Sequence, residues 1–342
     1  MRDPSNIWSI VLAGGDGSRL SRLTAGREGR PVPKQYCSVK GGASLIRQAL
    51  RRGRSVAGPD RTMVVVSDEH RRWWSVELAD LPSINVVVQP CNRGTACGVL
   101  LPLIEVLARD PDATVVVLPS DHVVAEEATL IDAISAATRH IHREPDRLVL
   151  LGIRPDRPDT GLGWIAPSSQ AADSVFGVSR FIEKPSRERA EELVREGALW
   201  NSFIFAMRAS ALFELFGWAL PWLTRMFSYA FTDDQRGEPW DWLPRLYERL
   251  PSVDFSRAVL QAAGDEMRVV AVPPCGWTDV GTPEGVARCS MSCSRGDATG
   301  EAPASRPILD LAEALGAYES GVGLPGVDVA GDSRSTGPIP TD

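Results

Sequence analysis

No apolar run in this chain approaches the roughly 20 residues needed to cross a bilayer. The longest, Val115 to Leu118 and Leu148 to Ile153 among them, have the length of a strand. A membrane-spanning protein is not expected. Nor is there a surplus of positive charge, since 37 basic against 44 acidic residues leave a net charge of −7. A chain-wide basic field for nucleic acid or anionic lipid is absent, so no nucleic-acid or membrane partner is expected and any anionic ligand must be met by a local cluster. The first residues, Met1-Arg2-Asp3-Pro4-Ser5, lead to Ile7 and then a glycine cluster without the apolar stretch of a secretory leader. The cytoplasm is the expected compartment. Six cysteines, at 37, 91, 97, 275, 289 and 293, form no C-x-x-C pair and have no histidine set at zinc-ligand spacing. They read as reduced thiols, with no metal role expected for Cys289 and Cys293. There is no internal repeat.

What remains is the composition of an ordinary globular protein, 43% hydrophobic and 24% charged over 342 residues. At about 150 residues per domain, that length fits two domains or one large domain with attachments. Short apolar runs bounded by turn residues recur at Ile7 to Ala13, Thr62 to Val66, Asn85 to Val88, Thr114 to Leu118 and Arg147 to Ile153, and they read as buried strands. Between them lie amphipathic stretches of helical length, Ser44 to Arg54, Ala96 to Arg109 and Ala128 to Ile141. The alternation predicts an α/β domain with a largely parallel sheet. Ser186, Arg187 to Glu196 and Gly197 read as a surface helix with a serine cap and a glycine exit. The aromatic-rich stretch 209 to 250, with Trp218, Trp222, Trp240 and Trp242, predicts packed helices whose aromatics belong to the core. From 291 to 342, glycine and proline rise to 25% from 16% for the whole chain, so a largely disordered tail is expected after a domain spanning 1–290. Within that tail, Pro307 to Tyr318 reads as a short helix with Ile308, Leu311, Ala312 and Leu315 on one face.

The chemistry concentrates at strand ends. Ile10 to Ala13 feeds into Gly14-Gly15-Asp16-Gly17-Ser18-Arg19-Leu20, where glycines let the backbone approach a ligand and aim N–H groups at an anion. The turn lacks the third glycine of the dinucleotide fingerprint, which is Leu20 here, and the Gly-Lys-Ser/Thr of a P-loop. Instead Arg19 follows at once, and Pro31-Val32-Pro33-Lys34-Gln35 adds a lysine on a proline-stiffened segment. Backbone donors, a guanidinium fork and an ammonium together suit a triphosphate. A second apolar run ends in Pro119-Ser120-Asp121-His122, and a third, Val269 to Val272, is followed by Gly276-Trp277-Thr278-Asp279-Val280-Gly281. Ligands of open α/β sheets bind at such carboxyl ends. Two carboxylates there, 158 residues apart in sequence, suit one shared Mg²⁺ with places left for phosphate oxygens. His122 is expected to support the site rather than act as a base.

Taken in order, Leu12 to Leu20, Pro33-Lys34-Gln35-Tyr36, Gln89-Pro90-Cys91-Asn92-Arg93-Gly94-Thr95-Ala96, Leu118 to His122, Thr160 to Ile165, Phe181-Ile182-Glu183-Lys184-Pro185, Trp200-Asn201-Ser202 and Trp277 to Gly281 resemble the sugar-phosphate nucleotidyltransferases. Within these, the Pro-Lys-Gln and Pro-Ser-Asp-His elements resemble the mannose-1-phosphate guanylyltransferase, or GDP-mannose pyrophosphorylase, group. The resemblance runs over about residues 7 to 287. It implies a Rossmann-like, GT-A-like α/β fold with a mixed, mostly parallel central sheet flanked by helices. It also implies a reaction in which a sugar 1-phosphate oxygen attacks the α-phosphorus of a nucleoside triphosphate and expels pyrophosphate, with GTP and mannose 1-phosphate as the expected pair and Mg²⁺ as cofactor.

The roles it implies are charge neutralisation by Arg19 and Lys34, and nucleotide binding by Leu12, Ala13, Gly14, Gly15, Gly17 and Thr95. Sugar-phosphate binding would fall to Gly163, Glu183, Lys184 and Asn201, and metal ligation to Asp121 and Asp279. The chain departs from the family pattern at Gly94, Leu162, Trp164 and Phe203, where the family has asparagine, tyrosine, tyrosine and glycine. The Glu-Lys expected after Pro251-Ser252-Val253-Asp254-Phe255 is also missing, and Arg257 stands nearby. These departures leave open another sugar or base, or a non-catalytic subunit that senses nucleotide sugars. No phosphomannose isomerase activity is expected, and a homo-oligomer is left open.

Overall fold

The computed structural model describes residues 6–25, 31–39, 41–172, 174–233, 242–292 and 309–319. Eleven strands occur among them: β1 (Ile7–Ala13), β2 (Thr62–Ser67), β3 (Val86–Gln89), β4 (Thr114–Pro119), β5 (His122–Val123), β6 (Leu148–Ile153), β7 (Gly163–Ala172), β8 (Val175–Glu183), β9 (Leu199–Arg208), β10 (Met267–Val272) and β11 (Thr278–Asp279). Nine form one sheet in the order β3-β2-β1-β4-β9-β6-β10-β8-β7. Only β8 and β9 run against the other seven, so the sheet is mixed: seven strands share one direction, and the pairings are four parallel and five antiparallel.

The central strands form because their apolar residues are buried on both faces. Alternation along the pleat sends Val11, Ala13, Val64, Val66, Val116, Leu118, Val149 and Leu151 to one core layer. It sends Ile10, Met63, Val65, Val115, Val117, Leu148 and Leu150 to the other. Helices Leu45–Ala57 and Glu127–Arg143 cover the first face, and helices Gly94–Arg109 and Ala209–Ala219 cover the second. Leu45, Ile46, Ala49, Leu50 and Gly53 are the inward stripe of their helix, and Gly53 lets it approach Ser9 and Thr62 of the sheet. The helix at Arg187–Arg195 is capped as its sequence predicts, with Ser186 Oγ accepting from the Arg189 N–H at 3.3 Å and Gly197 at φ 75°.

Two expectations need correction. Helices do occupy the aromatic stretch, at Ala209–Ala219, Pro221–Asp233 and Leu243–Arg249, but Trp218 is 67% exposed and Trp222 37%. Each helix packs by one stripe, filled by Leu212, Leu215, Phe216, Leu223 and Phe227, which leaves those two indoles on the outer side. Trp240 lies outside the described residues. The tail correction concerns residues 309–319, which join the domain: helix Leu311–Glu319 buries Leu311, Ala314 and Leu315 in the first core layer. Ala312, expected on that face, is only half-buried. Residues 293–308, with Cys293 and Ile308, and 320–342 lie outside the described residues, and the disorder expected there with them.

Strand β1 has β2 on one side and β4 on the other, so the chain reverses its direction of travel across the sheet there and leaves a crevice at the carboxyl ends. Over that crevice, β5 and β11 pair antiparallel, Thr278 with Val123 and Asp279 with His122. The Val280 N–H bonds the Asp121 carbonyl at 3.1 Å, and the Cys275 carbonyl accepts from Ala125 and Glu126. Gly276 makes the approach, at φ 65°, where a Cβ would lie 2.6 Å from Ala125 Cβ. Gly276→Ala is therefore expected to lower the unfolding free energy by about 1–3 kcal/mol. Urea titration checks this, and unchanged stability would mean that the small hairpin does not depend on the close approach.

Candidate active site

The crevice opens into a cavity of about 390 Å³. Twelve of the fourteen residues singled out above line it: Leu12, Gly14, Gly15, Arg19, Lys34, Thr95, Asp121, Gly163, Glu183, Lys184, Asn201 and Asp279. The other two sit behind the wall. The Ala13 carbonyl accepts from Gln35 Nε2 at 3.0 Å, and Gln35 also donates to the Gly15 carbonyl at 2.8 Å, tying the glycine loop to the lysine segment. Gly17, at φ 64°, turns the loop into the 3-10 turn Ser18–Leu20 that carries Arg19. A Cβ there would lie 3.2 Å from the Lys34 amide nitrogen, so the two loops are in contact.

Lys34 heads the 3-10 turn Lys34–Tyr36 and places Nζ 2.6 Å from Asp121 Oδ2. Burial alone would pull the ammonium down, but the charges of Asp121 and Asp279 outweigh it and its pKa is raised. Burial would push the Asp121 carboxyl up, yet Lys34 and His122 hold it well below the usual carboxylate range. Burial also holds His122 down, against the pull of Asp121 and Asp279. Its ring packs edge-on against Trp277, centroids 4.9 Å apart. Asp279 Oδ1 is buried with no hydrogen-bond partner among the described residues. Over Gly281, a position where a Cβ would lie 2.8 Å from Arg19 Nη2 and 2.9 Å from Asp279 Oδ2, the guanidinium and this carboxylate converge.

At the far end, strand pairing sets Gly163 opposite Glu183 and Trp164 opposite Trp200. Gly163 has no room for a side chain, since a Cβ would lie 2.7 Å from Glu183 Oε2 and 3.3 Å from Asn201 Cβ. Burial raises the Glu183 pKa despite Lys184, whose Nζ stands 3.1 Å from Glu183 Oε1. Asn201 Oδ1 accepts from the Phe203 N–H at 3.1 Å. Thr95 Oγ1 accepts from the Phe255 N–H at 2.8 Å and so braces the segment 253–255.

Sequence reasoning left several lining residues without a role. Gln89 is buried beside Gly14, whose missing Cβ would collide with its amide, and its Oε1 accepts from Tyr247 Oη at 3.0 Å. Asp254 lines the cavity and raises the Glu183 pKa further. Phe203 also lines it, in a left-handed backbone conformation at φ 58°. A signal for the lysines was present in the composition: the chain has only three, at 34, 40 and 184, and two of them stand in this cavity.

The nucleotidyl transferase family profile matches residues 8–295. The chain belongs to the nucleotidyl transferase family. The xanthan biosynthesis protein XanB of Xanthomonas campestris pv. campestris is 32% identical over 284 residues, 81% of this chain and 58% of that protein. A mannose-1-phosphate guanylyltransferase of Klebsiella pneumoniae is 29% identical over 285 residues, again 81% and 58%. This chain thus spans little more than half the length of these curated relatives. Among solved structures, one from Thermus thermophilus, described as a mannose-1-phosphate geranyltransferase, superposes with a TM-score of 0.69 at 29% identity, covering 81% of this chain and 76% of that one. A UDP-glucose pyrophosphorylase bound to UDP-glucose shares the fold, with a TM-score of 0.52 at 13% identity and coverage of 84% and 98%. No helix among the described residues is long and apolar enough to cross a membrane.

The Lys34–Asp121 pair gives a pH prediction. The depressed Asp121 pKa contributes stability above the ordinary value of about 3.9, lost as pH falls through the lower folded value. The raised Lys34 pKa contributes below its ordinary value of about 10.4, lost as pH rises through the higher one. In Lys34→Met the half-buried carboxylate of Asp121 loses its counter-charge and destabilises the fold while ionised. The stability gap between wild type and Lys34→Met is therefore expected to be widest near neutral pH and to narrow on acidification. Unfolding free energies measured from pH 7 down to pH 4 check it, and a constant gap counts against the pairing.

Proposed function

We propose that the chain transfers the guanylyl group of GTP to mannose 1-phosphate in the cytoplasm, releasing pyrophosphate and forming GDP-mannose. The observation that carries this reading is the meeting of two carboxylates, Asp121 and Asp279, with Lys34 and Arg19 between a glycine loop and a polar pocket at Glu183, Lys184 and Asn201. A triphosphate laid on the loop reaches the carboxylates with its α-phosphorus, and a sugar phosphate held at Lys184 reaches the same place from the other side. The names of the guanylyltransferase relatives support the choice of base and sugar.

The donor set fits a hard divalent cation. Asp279 Oδ1 is a buried oxygen without a hydrogen-bond partner among the described residues, and Asp121, which lines the same cavity, is held ionised. Mg²⁺ bound by Asp121 and Asp279 would neutralise charge on the phosphate oxygens. The remaining steps belong to this chain's residues. The phosphate monoester is largely dianionic at neutral pH, so its oxygen attacks the α-phosphorus without a base and the bond to the pyrophosphate oxygen breaks. Arg19 and Lys34 take up the charge developing on the departing pyrophosphate. The backbone of Leu12, Gly14 and Gly15 lies close along the triphosphate, Ala13 and Gly17 hold that loop in shape without lining the cavity, and Thr95 and Gln89 border the nucleotide end. Glu183 accepts from sugar hydroxyls, Lys184 pairs with the sugar phosphate, and Gly163 and Asn201 complete the pocket.

One observation favours a second sugar or base. Phe203 puts an aromatic ring into the cavity where the family has glycine, with Phe205 and Phe255 at 6.1 and 5.8 Å behind it. Pyrophosphate release across ribonucleoside triphosphates and dTTP, against mannose, glucose, galactose and fucose 1-phosphates, separates the two. A single strong signal at GTP with mannose 1-phosphate is expected, whereas a strong signal elsewhere reassigns the substrates. Nucleotide-sugar binding without turnover at any pair would make the chain a sensing subunit. Asp121→Asn and Asp279→Asn are each expected to lower kcat by about 100-fold or more, and chelation of divalent cations to stop turnover. Near-normal rates in both variants would remove the shared-metal assignment. Lys184→Ala is expected to act mainly on the KM for sugar phosphate.

A further inference from the structure

The family match ends at residue 295, yet helix Leu311–Glu319, beyond it, packs against the segments that carry three of the charged groups of the cavity. The helix touches Ser21–Thr24, the continuation of the turn bearing Arg19, and Pro283–Ser292, which follows Asp279. Its apolar stripe, Leu311, Ala314 and Leu315, shares a core layer with Leu20, Leu23, Tyr36 and Cys37. The third segment is tied by hydrogen bonds. Ser38 donates its N–H to the Leu309 carbonyl and accepts from the Leu311 N–H, both at 2.9 Å, as a parallel bridge. Asp310, between them and 9% exposed, accepts from Ser38 Oγ at 2.9 Å and from the Gly41 N–H on one carboxylate oxygen. The other oxygen accepts from the Ala312 and Glu313 N–H groups and caps the helix. One 3-10 turn separates this clamp from Lys34, because the Cys37 N–H bonds the Lys34 carbonyl at 2.9 Å.

We infer that residues 309–319 are a working part of the catalytic domain and that Asp310 is a positioning residue, holding the Lys34 turn at the distance from which its ammonium meets Asp121. Asp310 touches no reacting group and acts through Ser38 and Gly41. A carboxylate suits the position because four donors converge on it and each of its oxygens takes two. An asparagine there presents an amide N–H₂ to one pair of donors in either orientation.

The kinetic half of the test rests on the proposed activity, and the exchange half does not. In the full chain, Asp310→Ala is expected to speed amide hydrogen exchange at Tyr36–Ser38 by about 10-fold or more while β1 and β4 keep wild-type protection. Ser38→Ala keeps the helix cap and both backbone bonds, so its effect should be smaller and in the same place. In folded enzyme, Asp310→Ala should lower kcat by about 10-fold with the KM for sugar phosphate within twofold, the signature of a group acting on the transition state. Unchanged exchange at Tyr36–Ser38 overturns the inference. So does faster exchange spread evenly over the domain, or a kcat per folded molecule equal to wild type. If no substrate pair turns over even in the wild type, the proposed activity fails, and local exchange confined to Tyr36–Ser38 still upholds the clamp.

Discussion

The site depends on a pairing only two residues long on each side. By setting Asp279 opposite His122 and bonding the Val280 N–H to the Asp121 carbonyl, β5 and β11 bring two carboxylates together over a crevice that neither reaches alone. Like charges in a partly dry place repel, and burial penalises each further. The arrangement holds because Lys34 and Arg19 arrive from the opposite wall, on two loops that Gln35 and Gly17 lock to one another. The raised pKa of Lys34 and the depressed pKa of Asp121 report one balance: opposite charge overcoming desolvation on both partners. Everything else in the fold serves to deliver these loops, since β1 and β4 are neighbours in the sheet and end at the same edge.

Much of this was legible in the sequence for a physical reason. Strands buried on both faces read as unbroken apolar runs, and the residues that follow them are placed at one edge by the parallel sheet, so Gly14, Asp121 and Asp279 read as strand-end residues from the sequence alone. Contacts set by chain folding at long range were not legible. Gln89 reaches Gly14 across 75 residues and is fixed by Tyr247, 158 residues further on, with no local pattern to announce either contact. The outward turn of Trp218 and Trp222 was hidden for a related reason: a helix dense in aromatics shows which residues are apolar, but which stripe meets the sheet is decided by the partner. In the tail, glycine and proline averaged over 52 residues predict disorder while the spacing of Leu311 and Leu315 predicts the helix, but that this helix docks on the domain is a long-range contact neither pattern shows.

The departures from the family pattern carry physical information of their own. Gly94 sits at φ 82° with the Val253 backbone where a Cβ would be, so the segment 253–255 lies closer to this loop than any side chain at 94 would allow. That closeness is fixed by the Val253 N–H to Arg93 bond and by Thr95, and it brings Phe255 against Phe203. The two departures are therefore one: a loop without a side chain at 94 admits the segment whose aromatic ring packs on the extra aromatic at 203.

A left-handed phenylalanine costs about 1–2 kcal/mol relative to a glycine in the same conformation. Contacts of Phe203 with Phe205 and Phe255, the latter stacked on Phe205 at 5.1 Å, offset it at about 0.5–1.5 kcal/mol per pair. A glycine would have satisfied the backbone with no such compensation, so the ring's value lies in what it does to the cavity it lines. Its N–H is bonded to Asn201, a residue of the proposed sugar pocket, and its ring neighbour Phe255 is bonded to Thr95 at the nucleotide end. Behind the cavity wall, the aromatic cluster thus joins the backbone bonded to Asn201 in the proposed sugar pocket to the backbone bonded to Thr95 at the proposed nucleotide end.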